Sequence, residues 1–88
     1  MSKQLDLKRN INVRGKKYLV STVDLFVAVE DYPFETMVFQ CDDNWEVVNY
    51  RDLYCERYKT FKEAIDGHKL VCCQLKDGEL ELKEGCDI

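Results

Sequence analysis

Proline occurs once, histidine once and glycine four times among 88 residues, and each scarcity removes a class of explanation. With so little Pro and Gly there is no low-complexity tract, so a folded domain is expected over a disordered chain. One histidine, His68, leaves general acid–base catalysis without visible partners, and no catalytic residue is assigned. No run approaches the roughly 18 apolar residues that a membrane span needs. The opening Met1-Ser2-Lys3-Gln4-Leu5-Asp6 lacks the apolar stretch of a secretory signal. Neither a GxxxxGKS/T run nor GxGxxG occurs, which excludes nucleotide binding by a phosphate loop. The five cysteines are odd in number, and two of them, Cys72 and Cys73, are adjacent, so an evenly paired disulfide framework is excluded. Reduced thiols in a cytosol are the expectation, most of them packing as small hydrophobes.

What remains is enough for one small core. The chain is 45% hydrophobic and holds four Phe, five Tyr and one Trp. A single domain over 1–88 is expected, burying roughly 60–65% of the surface its unfolded chain exposes. The net charge of −4 is unevenly spread. Residues 1–17 hold six bases against Asp6 alone, a balance of +5, and the rest of the chain carries −9. Within residues 30–56, eight acids face Arg51 alone. Such asymmetry bears on partners or on solubility and says nothing about fold.

The hydrophobic pattern predicts strands first. Tyr18 to Val29 alternates, with Leu19, Ser21, Val23, Leu25, Val27 and Val29 on one face and Tyr18, Val20, Thr22, Asp24, Phe26 and Ala28 on the other. Both faces are largely apolar, so a central strand is expected. Residues 5–13 read as a first strand before an Arg14-Gly15-Lys16 turn, or as a basic N-terminal arm. Asp31-Tyr32-Pro33 ends the long strand, and Phe34 to Cys41 reads as its antiparallel partner. Asp42-Asp43-Asn44 suits a turn. Trp45-Glu46-Val47-Val48 is expected to start another strand, and Leu53 to Tyr58 to form the last, although Tyr50, Tyr54 and Tyr58 also fall at helical spacing.

Thr60-Phe61-Lys62-Glu63 then fits a capping box, in which the Thr60 side chain and the Glu63 side chain each accept from the other residue's amide. Phe61, Ala64, Ile65, His68, Cys72 and Leu75 follow on one stripe at steps of three and four, predicting a helix over 60–77 that Gly78 terminates. Gly67 inside it costs about 0.5–1 kcal/mol relative to Ala and implies a close neighbour. Leu80 and Leu82 alternate with charges, so 79–88 reads as an acidic tail or edge strand. The expected class is α+β: a small antiparallel sheet of three to five strands with one C-terminal amphipathic helix packed on one face.

Glu35-Thr36-Met37-Val38-Phe39 and Arg57-Tyr58-Lys59-Thr60-Phe61-Lys62-Glu63-Ala64-Ile65-Asp66-Gly67-His68 resemble the pattern ETMVF … RYxTxxEAxxGH. It occurs in small proteins of bacteriophages and of Firmicutes genomes that carry phage-derived segments, a group without an established activity. Ser21-Thr22-Val23-Asp24-Leu25 resembles the strand that precedes it there. The resemblance covers about residues 18–72 and implies a mobile-element context.

The first functional expectation is a non-catalytic phage or prophage accessory protein. Its acids Glu30, Asp31, Glu35, Asp42, Asp43, Glu46 and Asp52 would bind a host protein with a basic surface, such as a nucleic-acid-processing enzyme or a CRISPR effector. The alternative is a nucleic-acid module. In it Lys8, Arg9, Arg14, Lys16 and Lys17 meet phosphates, while Phe39, Trp45, Tyr50 and Tyr54 stack bases. The acidic body disfavours it, because the same charge repels the backbone that the bases attract. A third reading gathers Cys41, Cys55, His68 and Cys72 as a structural Cys3His zinc site, on the strength of the i, i+4 spacing of His68 and Cys72. Without a Cys-x-x-Cys pair the leading expectation holds no metal and no cofactor. His68 is expected at the core edge, bonded to a strand carbonyl or to Glu35.

Overall fold

Arg14 and Gly15 have φ of +53° and +89°, two left-handed residues in succession, and they set the first hairpin. Such a pair lets a two-residue turn follow the right-handed twist of the strands it joins, and only glycine adopts it freely. The Asn12 side chain accepts from the Gly15 amide at 2.9 Å, holding the turn from the strand side. The structure is a computed structural model and describes residues 5–25 and 32–83. β1 (Asp6–Val13) and β2 (Lys16–Asp24) flank the turn in antiparallel register, Val13 opposite Lys16 and Asp6 opposite Val23. β3 (Phe34–Cys41) pairs with β2, and β4 (Tyr54–Tyr58) with β3, so the open sheet has the order of the chain. The fold is α+β, as the alternation and the capping box predict.

α1 (Phe61–Lys76) lies across one face of this sheet. Thr60 Oγ1 accepts from the Glu63 amide at 3.1 Å and Glu63 Oε1 accepts from the Thr60 amide at 3.2 Å, closing the capping box. Ala64, His68, Val71, Cys72 and Leu75 are its buried residues. The stripe differs from expectation at two positions: its member Phe61 is exposed, meeting Phe34 edge-on at 6.0 Å, and Val71, which lay outside the expected stripe, takes a core position. Under the helix, Ile11, Val20, Val38, Val71, Cys72 and Leu75 form one cluster, and Leu5, Tyr58 and Ala64 a second. Gly67 sits against the Tyr58 ring so closely that a Cβ there would overlap it, which accounts for a glycine in mid-helix.

Three expectations are corrected. β2 ends at Asp24, and residues 26–29 of the expected longer strand lie outside the described residues. Trp45 to Val48 is not a strand. Asp42 Oδ1 accepts from the amides of Asn44 at 2.8 Å and Glu46 at 3.0 Å, Trp45 turns left-handed at φ +64°, and the segment keeps an isolated bridge, Val47 to Cys41, in place of a ladder. Local bonding of a short acidic side chain outcompetes the ladder there. Leu80 and Leu82 also form no strand. Both pack against the first cluster, and the Lys83 amide donates to the Leu53 carbonyl at 2.7 Å. Residues 54–58 are a strand, so the helical spacing of their tyrosines has no structural meaning.

Candidate binding surfaces

The sheet has two unlike faces. Strand alternation puts Leu7, Arg9, Ile11 and Val13 of β1, Tyr18, Val20 and Thr22 of β2, Thr36 and Val38 of β3, and Tyr54 and Tyr58 of β4 on the helix side. Lys8, Lys17, Glu35, Met37, Phe39, Cys41, Cys55 and Arg57 lie on the other face.

A polar seam crosses the interior between sheet and helix. Thr22 Oγ1 lies 2.5 Å from Thr36 Oγ1 and 2.8 Å from His68 Nδ1, and His68 Nε2 faces Cys72 Sγ at 3.8 Å. Thr22 and Thr36 have no solvent exposure. His68 therefore bonds a strand hydroxyl, where a carbonyl or Glu35 was expected. Burial lowers its pKa, with Arg9 nearby acting in the same direction. Burial raises the Cys72 thiol pKa, only partly opposed by Arg9 and Lys76. Both shifts favour the neutral forms of this pair, whereas a cysteine nucleophile needs the thiolate. The Tyr58 hydroxyl is buried near Thr36, with no partner in hydrogen-bonding geometry among the described residues.

The four cysteine and histidine positions read as zinc ligands are not brought together. His68 and Cys72 lie under the helix, while Cys41 and Cys55 occupy the opposite face of the sheet. Among the described residues no three His, Cys, Asp or Glu side chains are grouped to hold a metal. Cys55 donates to Glu35 at 3.3 Å, and burial followed by that carboxylate pushes its thiol up to about 11.

The seven acids divide as sharply. Glu30 and Asp31 lie outside the described residues. Glu35 is only 5% exposed and its Oε2 accepts from Arg57 Nε at 3.0 Å, so this carboxylate is consumed inside the molecule. Asp52 pairs with Lys83 at 2.9 Å, and the Lys83 hydrogen bond holds its carboxyl below the usual range. Asp42 is turned onto its own backbone. Asp43, whose nearest cation is Lys17 at 3.6 Å, and Glu46 remain directed to solvent.

Those two acids share the loop 42–53 with exposed apolar groups. Tyr50 is 81% exposed and Val48 54% exposed. The loop is nonetheless fastened: Val48 N donates to Gln40 O at 2.9 Å, Leu53 N to Val38 O at 2.7 Å, and the Tyr50 ring meets Phe39 edge-on at 5.7 Å. Lys17 Nζ lies 5.5 Å from the centre of the Trp45 ring. The four aromatics expected as one stacking platform are dispersed, since Phe39 is buried and Tyr54 packs on the helix side.

The five N-terminal bases belong to the first hairpin and do not form a free arm. Lys8 pairs with Asp6, and Lys17 is held by Asp43 and Trp45. Lys16 lines a shallow groove with Asp42 and Asp43. Arg9 points to the helix side and lines a groove of about 260 Å³ with His68, Lys69, Cys72, Cys73 and Lys76. Arg14 and Lys76 line the next groove, with Val13, Asp77 and Gly78. The sequence signal for Lys69 and Lys76 was their seven-residue spacing; that Arg9 stands beside them follows from strand order.

With this geometry in hand, the class defined is an α+β domain with an open four-stranded meander and one covering helix. No protein-family model, curated protein or solved structure matches the chain. No helix among the described residues is long and apolar enough to cross a membrane.

Proposed function

We propose that this chain is a non-catalytic binding domain that docks the loop 42–53 on a basic surface of a partner protein. The observation that carries this reading is Tyr50, 81% exposed on a fastened loop beside Val48, Asp43 and Glu46. An aromatic side chain offers large contact area for little lost freedom, and a preformed loop lowers the ordering cost of association. Acids around it steer a basic partner and raise the association rate. The set is narrower than the seven acids of the sequence, because Glu35 and Asp52 are neutralised internally. The resemblance of residues 35–39 and 57–68 to phage-borne proteins supports placing the partner in a bacterial host, with a defence or nucleic-acid-processing enzyme as the target and the cytoplasm as the setting.

The test is capture from bacterial host lysate by immobilised wild type and by a Val48→Ser, Tyr50→Ala, Asp43→Lys, Glu46→Lys variant. A partner held by the wild type, released by salt and lost by the variant supports the proposal. The same proteins recovered by both refute it.

A further inference from the structure

Five of the twelve described cations are paired with a carboxylate and seven are not. Lys8, Lys17, Arg57, Lys62 and Lys83 each lie within 4.0 Å of a carboxylate. Arg9, Arg14, Lys16, Arg51, Lys59, Lys69 and Lys76 have no such partner among the described residues, and four of them, Arg9, Arg14, Lys69 and Lys76, line two adjoining grooves that share Lys76. Asp77 is the acid on this rim, and the Cys73 thiol faces it at 4.0 Å.

The same margin carries an open backbone edge. Among the described residues β1 is the outermost strand and pairs only with β2. The Asp24 amide donates to the Leu5 carbonyl at 3.0 Å, which fixes the phase of the ladder. Odd-numbered residues of β1 turn their amides and carbonyls to β2, and alternation turns those of Asp6, Lys8, Asn10 and Asn12 outward. Among the described residues nothing pairs with them. At the far margin the chain itself contacts Leu53 through Lys83.

We propose that the β1 edge accepts an extended acidic segment of a partner protein as a fifth strand. Main-chain hydrogen bonds to Lys8, Asn10 and Asn12 supply affinity, and carboxylates at alternate positions meet Arg9, Lys69 and Lys76. The alternation is required because every second side chain of the added strand faces the helix side. A free edge bordered by unneutralised bases repels a second copy of itself, whose own edge is equally basic, and favours an acidic strand. No aromatic side chain lines either groove, so nothing there stacks an unpaired base. This inference is independent of the loop 42–53.

The test uses a fluorescein-labelled eight-residue peptide of alternating Glu and Val, read by anisotropy against the full chain. Binding that weakens with salt, and that drops in Arg9→Glu and Lys76→Glu, is expected. N-methylation of one set of alternate amides should abolish it while methylation of the other set is tolerated. Asn10→Pro removes an outward amide without touching the β2 ladder. It should weaken binding about tenfold, roughly the worth of one or two hydrogen bonds, while the cooperative melt persists. A wild type that does not bind the peptide overturns the proposal. So does equal binding of both methylated peptides, which would mean that charge alone acts. Tighter binding of a DNA duplex, indifferent to Asn10→Pro, would assign the bases to phosphates instead. A dimer in sedimentation that Asn10→Pro converts to monomer would assign the edge to a second copy.

Discussion

The helix–sheet interior and the loop 42–53 treat polar and apolar groups in opposite ways. Inside, Thr22, Thr36, His68 and Cys72 are matched to one another. Val20 and Val38 are fully buried beside them. In the loop, backbone bonds are satisfied locally while Tyr50 and Val48 are left in water. Burial and matching maintain a fold. Exposed apolar groups on an ordered loop contribute little to folding and are available for contact. The contrast places stability in one region, and the function proposed above places partner contact in the other; substitutions can break that division.

The largest effect is expected at Ile11, which is 2% exposed. Ile11→Ala should destabilise by about 2–5 kcal/mol through lost burial and a cavity, measured by urea unfolding. Gly67→Ala should cost about 1–3 kcal/mol by forcing Tyr58 aside, and a smaller aliphatic residue at Tyr58 should relieve it. If Gly67→Ala instead raises the melting temperature, as helix propensity alone would have it, the helix does not pack where described.

The next effect depends on pH. The folded pKa of His68 lies below the ordinary value near 6.5 because burial disfavours the charged ring. The folded protein therefore holds fewer protons than the unfolded chain as pH falls below about 6.5. Stability from this site is fully present above that pH and declines below it, until the folded pKa is passed. His68→Gln should flatten the unfolding free energy between about pH 7 and pH 5.5. An unchanged slope would mean that the imidazole is not buried in the seam.

Thr60→Ala should cost about 0.5–2 kcal/mol by removing the cap. Smallest of all should be Tyr50→Ser with Val48→Ser, within about 0.5 kcal/mol of wild type in stability. A large loss there would make the loop a structural element and undo the comparison.

The fold was legible in the sequence where one local rule governs a whole element. The Thr60–Glu63 box and the three-and-four spacing after it mark α1, and alternation marks β2 and β3. The turn at Arg14-Gly15 was legible because glycine answers a backbone need. Trp45 to Val48 was misread because Asp42, three residues earlier, redirects the backbone through its side chain. The surfaces were less legible. Charge counts along the chain put Glu35 among the partner-binding acids, yet strand pairing sets it opposite Arg57. Arg9 was grouped with its sequence neighbours Lys8 and Arg14, but the alternation of β1 separates it from Lys8 by the thickness of the sheet and sets it near Lys69. Cys41 and Cys55 are parted from His68 and Cys72 by the same alternation.

The strand order β1-β2-β3-β4 has a consequence for synthesis. Every strand pairs with the one made just before it, so each loop to be closed is short and the search for partners is local, conditions that favour rapid folding. On a ribosome the sheet can assemble strand by strand as it emerges. Its core face, with Val20 and Val38, stays uncovered until the sixteen residues of α1 follow. The last-made helix thus acts as the closing piece, and a pause once Tyr58 has emerged from the ribosome, with α1 still inside it, would leave a complete sheet with its apolar side bare.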